Sequence, residues 1–186
     1  MLVGLRPARC YRTWKRPYTR VAVRVPKKAY IKGVPGIKLR IFEMGTKQND
    51  YTKAVHLIAE DRVQIRHNAL ESARVAANSY LRKMVGDKNY FMKIRVYPHH
   101  VLREHAQAAV AQADRYYQGM RRPFGKPTGR AARVDKNQKI MTVWTTDDFV
   151  EHAKIAMRRA GYKIPGSTRV VVEEWSGPID RPVACS

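Results

Sequence analysis

The first acidic residue of this 186-residue chain is Glu43. Twelve Lys or Arg precede it: Arg6, Arg9, Arg12, Lys15, Arg16, Arg20, Arg24, Lys27, Lys28, Lys32, Lys38 and Arg40. Aromatic residues (Tyr11, Trp14, Tyr18, Tyr30) and prolines (Pro7, Pro17, Pro26, Pro35) are threaded between them. Such a segment cannot bury its charges, and like charges repel one another in isolation. It needs a polyanion. Aromatic faces beside guanidinium groups suit unstacked bases and sugars, and the prolines keep the backbone extended. Residues 1–36 are therefore read as a basic arm that threads through RNA. Its candidate contacts are Arg6, Arg9, Arg12, Trp14, Lys15, Arg16, Arg20, Arg24, Lys27, Lys28 and Lys32.

The same bias runs through the whole chain. Lys plus Arg number 37 against 15 Asp plus Glu, a formal charge of +22. Net charge speaks to partners rather than to fold, and here it points to a phosphate backbone. A membrane surface is also anionic, but no apolar run approaches the ~18 residues of a spanning helix. The N-terminus has no apolar core of the secretory type, and its prolines spoil the amphipathic helix of a transit peptide. Cys10 and Cys185 lie at opposite ends without C-x-x-C spacing, so neither a zinc site nor an oxidising compartment is expected. A cytoplasmic location follows, with ordinary thiols. With 44% hydrophobic residues the chain can bury a core.

Periodicity supplies the elements. Ile37 to Met44 alternates and ends at Gly45; Ala54 to Ala59 and Arg62 to Arg66 also read as strands. Asn68 opens a helix in which it would cap the first turn, with Glu71 completing a capping box. Leu70, Ala73, Ala77, Leu81 and Met84 share its apolar face, and Gly86 stops it. Phe91 to Tyr97 is a half-buried strand ended by Pro98. A polar, Gly-rich stretch from 99 to 129 reads as a long internal loop. Ala131 to Val134 and Ile140 to Thr145 should pair as a hairpin across Asp135-Lys136-Asn137. Thr146 would cap a second helix, with Asp147 and Asp148 in its first turn and Arg158 and Arg159 in its last, as the helix dipole favours. Its buried stripe is Phe149, Ala153, Ala156, Met157 and Ala160, and Arg169 to Glu174 is the last strand. The expected class is α+β. It is a two-layer sandwich of two helices on a largely antiparallel sheet, with the basic extended arm and the internal basic loop attached. Residues 37–175 would form a single domain, and 176–186 a tail.

The segment Gly119 to Arg133 holds Arg121, Arg122, Lys126, Arg130 and Arg133 and no acid. Its glycines let backbone approach phosphate, and Pro123 and Pro127 stiffen it. It is not a nucleotide-cradling P-loop. Five residues separate Gly119 from Gly125, and Lys126 is followed by Pro127 rather than Ser or Thr. His99 and His100, adjacent at a strand end, point apart and make a poor pair of metal ligands, and no thiolate or carboxylate pattern joins His105 to them. His56 and His67 are read as packing or RNA-facing. No nucleophile–base arrangement or carboxylate pair is visible, so no catalytic residue and no cofactor are expected. The alternative, an RNA-processing or RNA-modifying enzyme with a basic arm, would require one.

Several motifs in order carry a resemblance. They are Arg6-Pro-Ala-Arg-Cys-Tyr-Arg12, Gly33-Val-Pro-Gly36, and Val63-Gln-Ile-Arg-His-Asn-Ala-Leu-Glu71 with Ala73-Arg-Val-Ala-Ala-Asn78. Pro98-His-His-Val-Leu-Arg103 and Gly119-Met-Arg121 with Phe124-Gly-Lys-Pro127 complete the set. From Arg6 to about Trp175 the chain resembles the universal large-subunit ribosomal protein sixteen family, in its archaeal and eukaryotic "ten-e" branch. The resemblance implies a structural protein of the large ribosomal subunit that binds large-subunit rRNA beside the aminoacyl-tRNA site. It also implies help in positioning tRNA near the peptidyl transferase centre, where the chemistry belongs to RNA. The arm residues above, with Arg66, His67, Arg74, Arg122, Arg130 and Arg133, then become candidate rRNA contacts. Arg103, Arg115, Arg121 and Lys126 fall on the loop that the family brings towards tRNA. 5S rRNA and neighbouring large-subunit proteins are further candidate partners, and self-association is not expected. The chain departs from the family at Arg121-Arg122-Pro123 and at Arg130; both changes add charge.

Overall fold

The computed structural model describes residues 7–11, 14, 24–31, 33–48, 50–104 and 124–179. Apolar alternation in the middle of the chain builds two sheets. The strands are β1 (Glu43–Gly45), β2 (Lys53–Ala59), β3 (Val63–Arg66), β4 (Tyr90–Ile94), β5 (His100–Glu104), β6 (Lys126–Val134), β7 (Lys139–Thr145) and β8 (Thr168–Glu174). One sheet has the order β1-β4-β7-β2-β8, the other β3-β6-β5. Every described pairing is antiparallel. Helices α1 (His67–Met84) and α2 (Val150–Gly161) pack against each other and against these sheets.

The core follows from period 2 meeting period 3.6. Leu70, Ala73, Ala77 and Leu81 of α1 and Ala153, Ala156, Met157 and Ala160 of α2 form one buried stripe each. They share a cluster with Val55, Leu57, Met92, Met141 and Val143. Alanine-rich stripes let two helices approach the same sheet closely. Alternation sends the next residues to the opposite face. There Trp144 is fully buried against Phe91, Tyr51, Ala54, Ile179 and Trp175. The expected α+β class of two helices on antiparallel strands thus stands, with the sheet divided in two.

Several local expectations are corrected. Ala131–Val134 and Ile140–Thr145 do not pair as a hairpin. β6 already has β3 on one edge and β5 on the other, so no edge is left for β7. The turn between them does form, with Asn137 at φ 64° and the Gln138 N–H donating to Asp135 O (3.2 Å). It ties the start of β7 to the end of β2, through Asn137 N–H to Ala59 O (2.8 Å) and Ala59 N–H to Gln138 O (3.1 Å). Asn68 caps nothing. β3 runs straight into α1, so the cap position falls on Arg66 and no side chain caps the turn. Glu71 instead pairs with Arg74. Met84 is 47% exposed, because the helix ends there and Val85 turns into the core in its place. Of the 37–44 segment only Glu43 and Met44 are strand, although Leu39 is fully buried. Gly45, at φ 83°, closes that strand where a Cβ would collide with the Tyr90 carbonyl oxygen. Thr146 makes no side-chain cap bond, and a 3-10 turn (Asp147–Phe149) precedes α2. Both ends of the 99–129 stretch are strand, β5 and the start of β6.

Candidate nucleic-acid interface

The three-stranded sheet and the start of α1 gather half of the described candidate residues. β6 carries Arg130 and Arg133; β3 ends in Arg66; His67 opens α1; β5 carries Arg103. Register sets Arg133 opposite Gln64, and Arg130 opposite Val101.

On one side of this sheet the N-terminal segment is packed down. Residues Ala8–Tyr11 form a 3-10 turn, and Tyr11 is buried with Leu102 and Ala131. The Gln64 amide donates to Tyr11 O at 2.8 Å, and the Arg66 guanidinium lies 5.0 Å from the Tyr11 ring centre. The Trp14 ring meets Arg62 at 3.8 Å and Arg133 at 5.7 Å, and Arg133 Nη2 also donates to Trp14 O at 2.9 Å. The same Nη2 reaches His100 Nε2 at 3.3 Å. Burial first, then the charge of Arg133, push the His100 pKa down to about 4, so its neutral ring accepts that bond. Part of the segment read as an RNA-threading arm, at Tyr11 and Trp14, is therefore held to the protein. The Trp14 ring stacks with the protein's own guanidinium groups. Sequence reasoning missed Tyr11 and Arg62 as its anchors. The signal was present: an aromatic at each end of Tyr11-Arg-Thr-Trp14 is what a docked segment needs.

At the other corner stand His67, Lys38 and Arg130. Burial lowers the His67 pKa, and the charges of Lys38, Arg130 and Arg66 lower it further. A Cβ on Gly129 would stand 3.4 Å from the His67 ring, so strand and helix start approach closely here. Arg130 Nη1 reaches Tyr97 Oη at 3.4 Å. Arg103 Nε donates to Gly125 O at 3.2 Å, and register sets Glu104 opposite the exposed Lys126, so the two ends of the internal segment are tied together.

Acids are distributed unevenly. The described ion pairs consume Lys53, Arg62, Arg74, Arg82, Lys93, Lys139 and Lys154. They lie on the five-stranded sheet, on the helices and at the Arg62–Asp135 corner. Among the described residues no carboxylate pairs with Arg9, Arg24, Lys27, Lys28, Lys38, Arg40, Lys126 or Arg130. Arg74 sits apart from this group. Its guanidinium is forked onto Glu71 (2.9 and 2.5 Å) and touches Met44 Sδ. His99 is exposed and bonded to Tyr97 O, whereas His100 is buried. Among the described residues no three His, Cys, Asp or Glu side chains converge on a metal-binding arrangement. Arg6, Arg12, Lys15, Arg16, Arg20, Lys32, Arg115, Arg121, Arg122 and Cys185 lie outside the described residues.

Residues 18–171 match the family model for ribosomal protein L16p/L10e. The chain belongs to that family. It is similar to the large ribosomal subunit protein uL16 of Archaeoglobus fulgidus, 50% identical over 169 residues that cover 91% of this chain and 93% of the relative. The protein of the same name from Staphylothermus marinus is 53% identical over 168 residues, 90% of this chain and 92% of the relative. That of Methanoculleus marisnigri is 46% identical over 169 residues, 90% and 95%. These archaeal relatives agree with the branch that the Arg6–Arg12 motif suggested. Members of the L16p/L10e family are structural, non-enzymatic constituents of the cytoplasmic ribosome, and as a member this chain is a ribosomal protein rather than an RNA-processing enzyme.

Proposed function

We propose that the chain is built into the large ribosomal subunit, where it binds large-subunit rRNA beside the aminoacyl-tRNA site and helps position tRNA near the peptidyl transferase centre. The observation that carries the RNA part is the segregation of charge. Among the described residues Arg9, Arg24, Lys27, Lys28, Lys38, Arg40, Lys126 and Arg130 have no carboxylate partner, and the stretch before Glu43 holds no acid at all, whereas the helices and the five-stranded sheet carry paired cations beside unpaired ones such as Lys83, Arg158 and Arg159. Phosphate contacts from such a surface fix register and orientation on RNA. The internal segment between β5 and β6 supports the tRNA part. It leaves the sheet between two strands tied by Arg103, it contains Arg115 and Arg121, and Lys126 stands exposed where it returns.

Replacing both Arg121 and Lys126 with Ala tests the division of labour. The arm and the sheet retain their cations, so incorporation into large subunits, measured by sucrose-gradient fractionation and mass spectrometry, should stay near wild type. Aminoacyl-tRNA binding and peptide-bond formation by those subunits should fall. A displacement of about 1 Å near a reacting centre can cost roughly a hundredfold in rate. Full occupancy with unimpaired tRNA binding and synthesis would reduce the segment to filler.

A further inference from the structure

The rings of Phe42 and Tyr97 stack with centroids 5.6 Å apart and planes inclined by 20°. Phe42 is half-buried against the main core, whereas Tyr97 is 50% exposed. A large aromatic that stacks on the core and still leaves half its surface in water is a platform rather than a core residue. Its backbone is also fixed. Pro98 confines Tyr97 to extended conformations, and the His99 N–H donates to Tyr97 O at 2.9 Å. Arg130 Nη1, 3.4 Å from the phenol oxygen, braces the edge of the ring. Arg130 has no carboxylate partner among the described residues.

We infer that the Tyr97 ring, backed by Phe42, is a stacking platform for one unpaired RNA base, with Arg130 taking the adjoining phosphate. This rests on the RNA-binding reading above and assigns it a specific ring. The surrounding charge selects the occupant. A peptide side chain offers either a π-face or an anion, whereas a nucleotide supplies both, one for the ring and one for Arg130. Bases within a duplex are already stacked, so only unpaired nucleotides can use the platform.

The test uses the full chain and two fluorescent probes, a short single-stranded oligoadenylate and a short RNA duplex. Tyr97→Ala should weaken oligoadenylate binding by about five- to a hundredfold, the range spanned by one stacked base. Duplex binding should change less than about twofold, and Tyr97→Phe should match wild type on both probes. Equal losses on both probes, or no loss on either, would overturn the platform while leaving RNA binding intact. A wild-type chain that binds neither probe would overturn the RNA-binding reading itself. Photocross-linking of the wild-type chain to a short single-stranded RNA carrying 5-iodouridine gives a second readout that needs no variant to fold. An adduct on Tyr97 is expected, and adducts confined to other residues would contradict the platform.

Discussion

His56 shows how a single residue sets a pH limit on this fold. It points to the face of the five-stranded sheet away from the helices and is fully buried. Its two ring nitrogens meet Thr142 Oγ1 at 2.9 Å and Glu173 Oε2 at 3.1 Å. Glu173 would favour the charged ring, but burial and Lys139 outweigh it, and the pKa falls to about 4. Arg95 has its Nε on the same Thr142 hydroxyl at 2.8 Å, so a cation occupies the place a protonated imidazole would need. His100 has a similar value, again from burial first. Both folded-state values lie below the ordinary 6.5. The neutral rings therefore contribute stability above that value, and it is lost as pH falls from about 6.5 towards 4. Each shift corresponds to roughly 3 kcal/mol at full protonation. Chemical denaturation at pH 7, 6, 5 and 4.5 should show a falling unfolding free energy. His56→Leu should be less stable at pH 7, because Thr142 loses a partner, but its curve should be flatter. An unchanged slope in the variant would contradict a buried neutral His56. Glu173, held below the carboxylate range by Lys139 and His56 despite opposing burial, adds its loss only at lower pH.

At the scale of elements, what was legible in the sequence was whatever depended on one segment alone. The apolar stripes of α1 and α2, the alternation of β4 and the short apolar runs of β2 and β8 were readable because each reports its own burial. The false hairpin of β6 and β7 failed for a non-local reason: β3 and β5, distant in sequence, had already taken both edges of β6. The missing cap at Asn68 failed because a strand feeds the helix without a loop. Of the candidate site, the Lys and Arg themselves were readable, whereas the docking of the N-terminal segment was not, since Tyr11 finds its partners on β5 and β6. That docking makes a prediction. Tyr11 is buried but its hydroxyl has no partner. Tyr11→Phe should change stability by less than about 0.5 kcal/mol, while Tyr11→Ala should cost about 2–4 kcal/mol by loss of packing. Hydrogen exchange should show Cys10, whose N–H bonds to Pro7 O, protected in the RNA-free wild type and unprotected in Tyr11→Ala. Equal exchange in both would separate the segment from the sheet. The turn after β6 yields a second check. Asn137 has φ 64°, so Asn137→Val should destabilise by about 1–2 kcal/mol and Asn137→Gly should be tolerated. Thermal melts of the two variants decide it.

Across the whole molecule, a charge of +22 is tolerable only because it is sorted. Much of the described acid stands on the five-stranded sheet and the helices, where Glu173 and Glu174 engage Lys139 and Lys53 and Glu151 engages Lys154. Among the described residues Arg9, Arg24, Lys27, Lys28, Lys38 and Arg40 keep no such partner. A polyanion therefore sees two different surfaces. The most direct measurement is the salt dependence of binding to a large-subunit rRNA fragment, compared between two triple neutralisations. One replaces Arg9, Lys38 and Arg40 with Gln; the other replaces Lys53, Lys139 and Lys154 with Gln. Each phosphate contact contributes about −0.7 to −0.9 to the slope of log affinity against log salt. The first variant should bind more weakly and lose about one unit of slope per contact removed, whereas the second should retain the wild-type slope. Equal losses of slope in the two variants, or a wild-type slope near zero, would contradict the account.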